Sequence, residues 1–259
     1  MDWVEFKERL KWLDPFTYSD LLVKRLGMDE VPMFRFFVEV VTAFLSAYVL
    51  YVALGFLLGT AMPIVIVVSG SMEPVLHRGD IVVLQGASAS SVKAQEVAFN
   101  GALKNRGFEE FGKVRRVIDS EGNLAFYAVE ISGKEIRFDL NGDTIVYFSE
   151  FSRIPVIHRA VLKIVTQNGT FILTKGDANP TFDQDCGRIV LGRPQFGCIT
   201  PYGIDSKAVI GKQWFKIPVL GYVKLLIWDD VIELLAGCPR NVSVQGEYCA
   251  YWTAVGGRS

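Results

Sequence analysis

No charged residue occurs between Val40 and Met72. That run limits the possible folds more than any other feature of the chain. Within it, Val40–Gly59 (VVTAFLSAYVLYVALGFLLG) is long enough to cross the hydrocarbon core of a bilayer as a helix. Tyr48 and Tyr51 lie inside the segment, and Phe34, Phe36 and Phe37 precede it. It begins too late and runs too long for a cleaved leader; the competing reading is a buried core helix. The whole chain is 50% hydrophobic with a mean hydropathy of +0.28, which suits a lipid-buried segment. Lys24, Arg25 and Arg35 precede the apolar run, and only Arg78 occurs in the first twenty residues after Ala61. This asymmetry predicts a cytoplasmic N-terminus and an external remainder.

The segments around the span differ in pattern. Residues 1–36 read as a small helical cap, with Trp3, Phe6, Leu10 and Leu13 at helical spacing and Asp14-Pro15 interrupting them. A second short helix is expected from Ser19 as N-cap to Gly27 as stop. Residues 37–60 form the span, 61–228 an outer domain and 229–259 a cysteine-containing tail. The outer domain opens with the β-branched runs Ile64–Val68 and Ile81–Leu84. Strands are also expected at Lys113–Ile118, Leu124–Ile131, Lys134–Leu140, Thr144–Phe148, Ile154–Gln167, Thr170–Thr174 and Ser206–Ile210. Asn141-Gly142 and Asn168-Gly169 carry the signature of two-residue hairpin turns. The expected fold is mainly β, a folded sheet or partial barrel anchored by one N-terminal transmembrane helix. Ile217–Trp228 is apolar but carries Lys224, and reads as a strand or a helix resting near the membrane.

Net charge is −1, so nothing points to a nucleic-acid partner. Cys186, Cys198, Cys238 and Cys249 all fall in the last third of the chain, with spacings that match neither a zinc ribbon nor a redox CxxC. No metal or cofactor is expected. An even number of cysteines in an external region suggests two disulfides, with Cys186–Cys198 and Cys238–Cys249 the simplest of three pairings. Four buried free thiols are the alternative.

The densest chemistry lies at Ser69-Gly70-Ser71-Met72-Glu73-Pro74, closed by Gly79-Asp80. A serine hydroxyl is a weak nucleophile unless a neighbouring base takes its proton and an acid orients that base. The chain has two histidines. His158 lies on a strand candidate that a hairpin at Asn168-Gly169 returns toward Thr174-Lys175-Gly176-Asp177-Ala178-Asn179. A turn pairing Gln167 with Thr170 places His158 opposite Asn179, with Asp177 as its diagonal neighbour. His77 reads as a surface residue, Asp80 as a turn cap and Lys175 as the alternative base.

The set SGSMEP…GD, IHR, TKGDAN…D and IPVLGYV, in this order after one transmembrane helix, resembles the type I signal peptidases across roughly residues 40–225. The histidine at 158, in place of lysine, is similar to the archaeal and endoplasmic-reticulum branch. The resemblance implies that Ser71 is the nucleophile, His158 the general base and Asp183 the acid, with Asp177 assisting. Asp185 is a weaker candidate for the acid. It also implies an oxyanion hole formed by the Ser69 hydroxyl and the Ser71 amide. Preproteins bearing signal peptides would be the substrates, in contact with the bilayer and with secretion machinery. The gap from Ser71 to His158 exceeds that of the compact reticulum enzymes, and points to an insertion near 100–150. The single span and histidine base suggest a cell membrane. A protease for one dedicated substrate, or a non-catalytic preprotein-binding subunit, would share these features.

Overall fold

Two prolines start the N-terminal helices. Pro15 and Pro32 occupy first-turn positions, where a fixed φ is already helical and a missing N–H goes unneeded. The computed structural model describes residues 11–118, 124–150, 153–186, 189–190, 193–194 and 198–225. It divides into two units, residues 1–61 and 62–259. In the first unit α1 spans Pro15–Arg25 and α2 spans Pro32–Leu58. Ser19 is not the N-cap of α1. Asp14 takes that role, its Oδ1 accepting from the Phe16 amide at 3.0 Å, while Ser19 sits within the helix and donates to the Phe16 carbonyl. The dipeptide that interrupts the sequence pattern is therefore a start signal. The expected helix through Trp3, Phe6 and Leu10 lies outside the described residues.

At 27 residues α2 is about 40 Å long, more than a bilayer core of about 30 Å requires. It begins before the uncharged run because Arg35 and Glu39, one turn apart, pair at 2.9 Å. Arg35 also reaches Asp20 on α1 at 3.3 Å. Phe44, Tyr48, Phe56 and Leu57 are exposed, so the helix presents its apolar side chains outward rather than to a protein core.

The second unit is built on β1 (Ile64–Ile66), β2 (Ile81–Gln85), β3 (Gln95–Ala98), β4 (Gly112–Ile118), β5 (Leu124–Ile131), β6 (Lys134–Arg137) and β7 (Thr144–Ser149). It continues with β8 (Ile154–Thr166), β9 (Gly169–Lys175), β10 (Ile189–Val190), β11 (Arg193–Pro194), β12 (Ile204–Asp205) and β13 (Val209–Ile217), ending in the short helix α3 (Tyr222–Leu225). An eight-stranded sheet runs β1-β2-β13-β7-β8-β9-β12, with β3 as the eighth strand beside β8. Its long strand β8 pairs with β7 through Ile154–Arg159 and with β3, in parallel, through Leu162–Val165. The strands β4, β5 and β6 form a separate antiparallel meander.

Several local expectations shift. Asn141-Gly142 does not close a hairpin, because β6 pairs with β5 and the chain then crosses to the main sheet at β7. Gly142 instead lies against β8, where a Cβ would come within 1.9 Å of the Ala160 carbonyl oxygen. Ser206–Ala208 is a 3₁₀ turn, and the strand expected there starts at Val209 and runs to Ile217. Ile217 therefore ends a strand, and the apolar segment after it turns into α3. The strand β3 was not expected at all, since QEVA carries little β signal.

Three apolar clusters form the core. Met72, Leu76, Val67, Val82, Leu84 and Val146 pack under the SMEP turn. Ile145, Tyr147, Val156, Ala160 and Ile172 line the face of β7, β8 and β9 that carries His158. The meander packs on the sheet through Val129, Ile131 and Ile136 against Leu162, Ile164, Phe171 and Phe182.

Candidate active site

Ser71 occupies the turn leaving β1. Its neighbour Met72 and, one turn on, Leu76 are fully buried, and the Leu76 amide donates to the Met72 carbonyl at 2.9 Å. These two apolar anchors leave the serine at the partly exposed end of the turn. The following Gly79-Asp80 is tied back by Gly79 N to Val67 O at 2.8 Å and Val67 N to Asp80 O at 2.9 Å. The buried Asp80 carboxylate accepts from the His77 amide at 3.0 Å and the Val219 amide at 3.2 Å, with Lys216 Nζ at 3.6 Å. Burial alone would raise the pKa of Asp80, but the two amides and Lys216 outweigh it and hold the carboxyl below its ordinary value. The Gly221 amide donates to the Gly79 carbonyl. In this way the IPVLGYV segment buttresses the loop that carries Ser71.

A second brace comes from the turn after β9. The Ala178 amide donates to the Ser71 carbonyl at 2.9 Å. Gly176 permits that approach: a Cβ there would lie 2.7 Å from the Ser71 oxygen. Gly176→Ala is expected to displace Ser71 and lower kcat by on the order of tenfold or more, because small misplacements of reacting groups are costly; steady-state cleavage kinetics of the folded variant would measure this.

His158 Nε2 lies 3.0 Å from Ser71 Oγ, and His158 Nδ1 lies 2.6 Å from Asp183 Oδ2. The imidazole and the carboxylate are almost wholly buried, with side-chain exposures of 4% and 1%. Ser69 Oγ is 3.2 Å from Ser71 Oγ. The loop that carries Asp183 is heavily fixed. Its carbonyl accepts from the Ile199 and Thr200 amides, Cys186 and Cys198 form a disulfide, and Arg116 of β4 pairs with the buried Asp185. Cys238 and Cys249 lie outside the described residues. Asp185, engaged by Arg116, is not the partner of His158.

Asp177 does not meet His158. Thr166 pairs with Gly169, so Gln167 and Asn168 form the turn, and an irregularity between Ala160 and Leu162 shifts the ladder once more. Arg159 then faces Lys175. Asp177 instead clamps Arg159, with Nε to Oδ1 at 2.7 Å and Nη2 to Oδ2 at 2.6 Å, while Nη1 donates to the Leu140 and Gly142 carbonyls. Lys175 Nζ donates to the Gly176 and Asp177 carbonyls and sits 4.5 Å from the centre of the Phe138 ring. Burial lowers its pKa, against the raising effect of Asp177 and Asp183. The exposed His77 contributes its backbone to this region, the amide donating to the Asp80 carboxylate and the carbonyl accepting from the Asp80 amide.

The sequence reading missed Tyr147 and Thr174. Both hydroxyls reach Asp183 Oδ2, at 2.9 and 2.6 Å. A correct register would have exposed them. Tyr147 lies opposite Val156 and Thr174 opposite Ala160, so both share the face of His158. Among the described residues no group of three or more His, Cys, Asp or Glu is placed to hold a metal ion.

The chain is 30% identical to a signal peptidase complex catalytic subunit of Eremothecium gossypii over 186 residues, covering 71% of this chain and 77% of that one. The corresponding subunit of Scheffersomyces stipitis is 27% identical over 195 residues, covering 75% and 83%. That of Schizosaccharomyces pombe is 31% identical over 138 residues, covering 53% and 57%. No protein-family profile matches the chain. These likenesses accompany a mainly β unit preceded in sequence by one apolar helix long enough to cross a bilayer. On this evidence the chain belongs to the type I signal peptidases, in the endoplasmic-reticulum branch.

Proposed function

We propose that this chain is a membrane-bound serine endopeptidase that removes signal peptides from exported preproteins, with Ser71 as nucleophile, His158 as general base and Asp183 as the orienting acid. The observation that carries this reading is the unbroken line Ser71 Oγ, His158 Nε2, His158 Nδ1, Asp183 Oδ2, with contacts of 3.0 and 2.6 Å. Asp183 holds the imidazole proton on Nδ1, which leaves the Nε2 lone pair facing the serine. As Ser71 Oγ attacks the scissile carbonyl, its proton passes to Nε2. The new oxyanion is met by the Ser69 hydroxyl and the Ser71 amide. His158 then protonates the leaving amine, and the signal peptide remains as an acyl ester on Ser71. Water, deprotonated by the same imidazole, resolves that ester. Asp177 acts at one remove by fixing the 176–179 turn that supports Ser71.

The bilayer is the second partner. In the β unit Trp214, Val219 and Leu220 are exposed next to Ile217 and Tyr222, an apolar surface suited to lipid. The Cys186–Cys198 disulfide favours an oxidising compartment for this unit. It agrees with the orientation implied by Lys24, Arg25 and Arg35, a cytoplasmic N-terminus with the β unit across the cell membrane. The relatives are named as subunits of a complex, and by extension partner subunits are expected here. The test is cleavage of a preprotein in detergent. Ser71→Ala is expected to leave the preprotein intact, and substantial processing by that variant would refute the mechanism.

A further inference from the structure

Resting on the triad reading above, we infer that Tyr147 and Thr174 are positioning residues for Asp183, and that they tune how strongly His158 holds the proton it takes from Ser71. Three donors converge on a single oxygen, Asp183 Oδ2: His158 Nδ1 at 2.6 Å, Thr174 Oγ1 at 2.6 Å and Tyr147 OH at 2.9 Å. The other oxygen, Oδ1, is buried and has no hydrogen-bond partner. A carboxylate in that state is free to rotate in favour of Oδ1 unless its donors fix it. The two hydroxyls do so from opposite sides of β8, one on β7 and one on β9.

Tyr147 OH donates to Asp183 Oδ2. Thr174 Oγ1 lies 3.2 Å from Tyr147 OH as well, but its shorter contact, 2.6 Å, is to the charged Asp183 oxygen, the stronger acceptor. Gln184 supplies Thr174 with a donor, Nε2 to Oγ1 at 3.4 Å, and its Oε1 accepts the Thr174 amide at 3.0 Å. Thr174 Oγ1 is therefore oriented to donate toward the acid. Tyr147 and Thr174 are wholly buried. Burial, with the Asp183 charge second, raises the Tyr147 pKa well above its ordinary value, so the phenol remains a donor. The other charged groups nearby are committed elsewhere: Lys175 to backbone carbonyls, Arg159 to Asp177 and Arg116 to Asp185. The hydroxyls are thus placed to do two things. They aim Oδ2 at the imidazole, and they draw off part of its negative charge.

The test uses the full chain in detergent with a preprotein substrate, and reads kcat, KM and the pH dependence of kcat/KM. Tyr147→Phe keeps the ring and removes only the donor. Because hydrogen bonds to charged groups are among the stronger ones, kcat is expected to fall about tenfold with KM within about twofold. With less charge drawn from Asp183, the imidazolium is better stabilised, so the acid limb of the profile moves to higher pH. Thr174→Val is expected to act in the same direction, and Thr174→Ser, which keeps the hydroxyl, to return kcat to within about threefold of the parent. An unchanged kcat in Tyr147→Phe and Thr174→Val, or a reduced kcat with an unmoved acid limb, overturns the inference. Ser71→Ala separates this outcome from failure of the triad itself: only the latter leaves that variant able to cleave.

Discussion

Replacing His158 with alanine is expected to lower kcat/KM for preprotein cleavage by on the order of 10⁴- to 10⁶-fold. Among the described residues the serine has one base in reach, His158 Nε2 at 3.0 Å. The alternative base, Lys175, spends its ammonium on the Gly176 and Asp177 carbonyls and on the Phe138 ring, so it does not substitute. Groups that move one proton together are not additive when removed. The Ser71→Ala/His158→Ala double variant should therefore fall no more than about tenfold below either single variant. Initial rates measured at high enzyme concentration would show this. Two losses that multiply in full would mean that the two side chains act in separate steps.

The second large effect concerns stability. Arg159 and Asp177 form a two-bonded ion pair with side-chain exposures of 8% and 2%. Asp177→Ala removes the carboxylate and leaves a guanidinium out of water, facing only the Leu140 and Gly142 carbonyls. Such a one-sided deletion costs about 3–5 kcal/mol. Arg159→Met combined with Asp177→Leu leaves no unpaired charge and is expected to cost less than Asp177→Ala alone. Denaturant unfolding followed by near-ultraviolet circular dichroism would rank the three proteins. Equal stabilities of Asp177→Ala and the parent would remove the pair as a structural anchor. Part of any activity loss in Asp177→Ala would come through the 176–179 turn, since that turn carries the amide bound to Ser71.

Much of this was legible from the residues. The β-branched runs marked β1 and β2 because short Val and Ile blocks bounded by Gly or Pro suit a pleated, buried strand. The order of the four motifs marked Ser71, His158 and Asp183, which the fold brings within hydrogen-bonding distance. Register was harder to read. The Asn168-Gly169 pair looked like the two central residues of a turn, yet the Thr166 hydroxyl accepts from the Asn168 amide and donates to the Gly169 carbonyl, closing the turn one residue early. That shift and the irregularity near Val161 moved Asp177 from the histidine to the arginine beside it. Tyr147 and Thr174 were hidden for the same reason, since cross-strand neighbours depend wholly on register. The disulfide and the Arg116–Asp185 pair join segments far apart or loosely patterned in sequence. No periodicity announces either, although cysteine count suggested the first.

His158 and Arg159 are consecutive on β8, so they face opposite sides of the sheet. A strand slipped by one place would present a guanidinium to Ser71 and send the imidazole toward Asp177. Guanidinium is a permanent cation and takes up no proton. A chain assembled one step out of alignment would thus be inert as well as less stable. On the proposed mechanism, the pairing that completes the sheet is therefore also the pairing that brings the base to the serine.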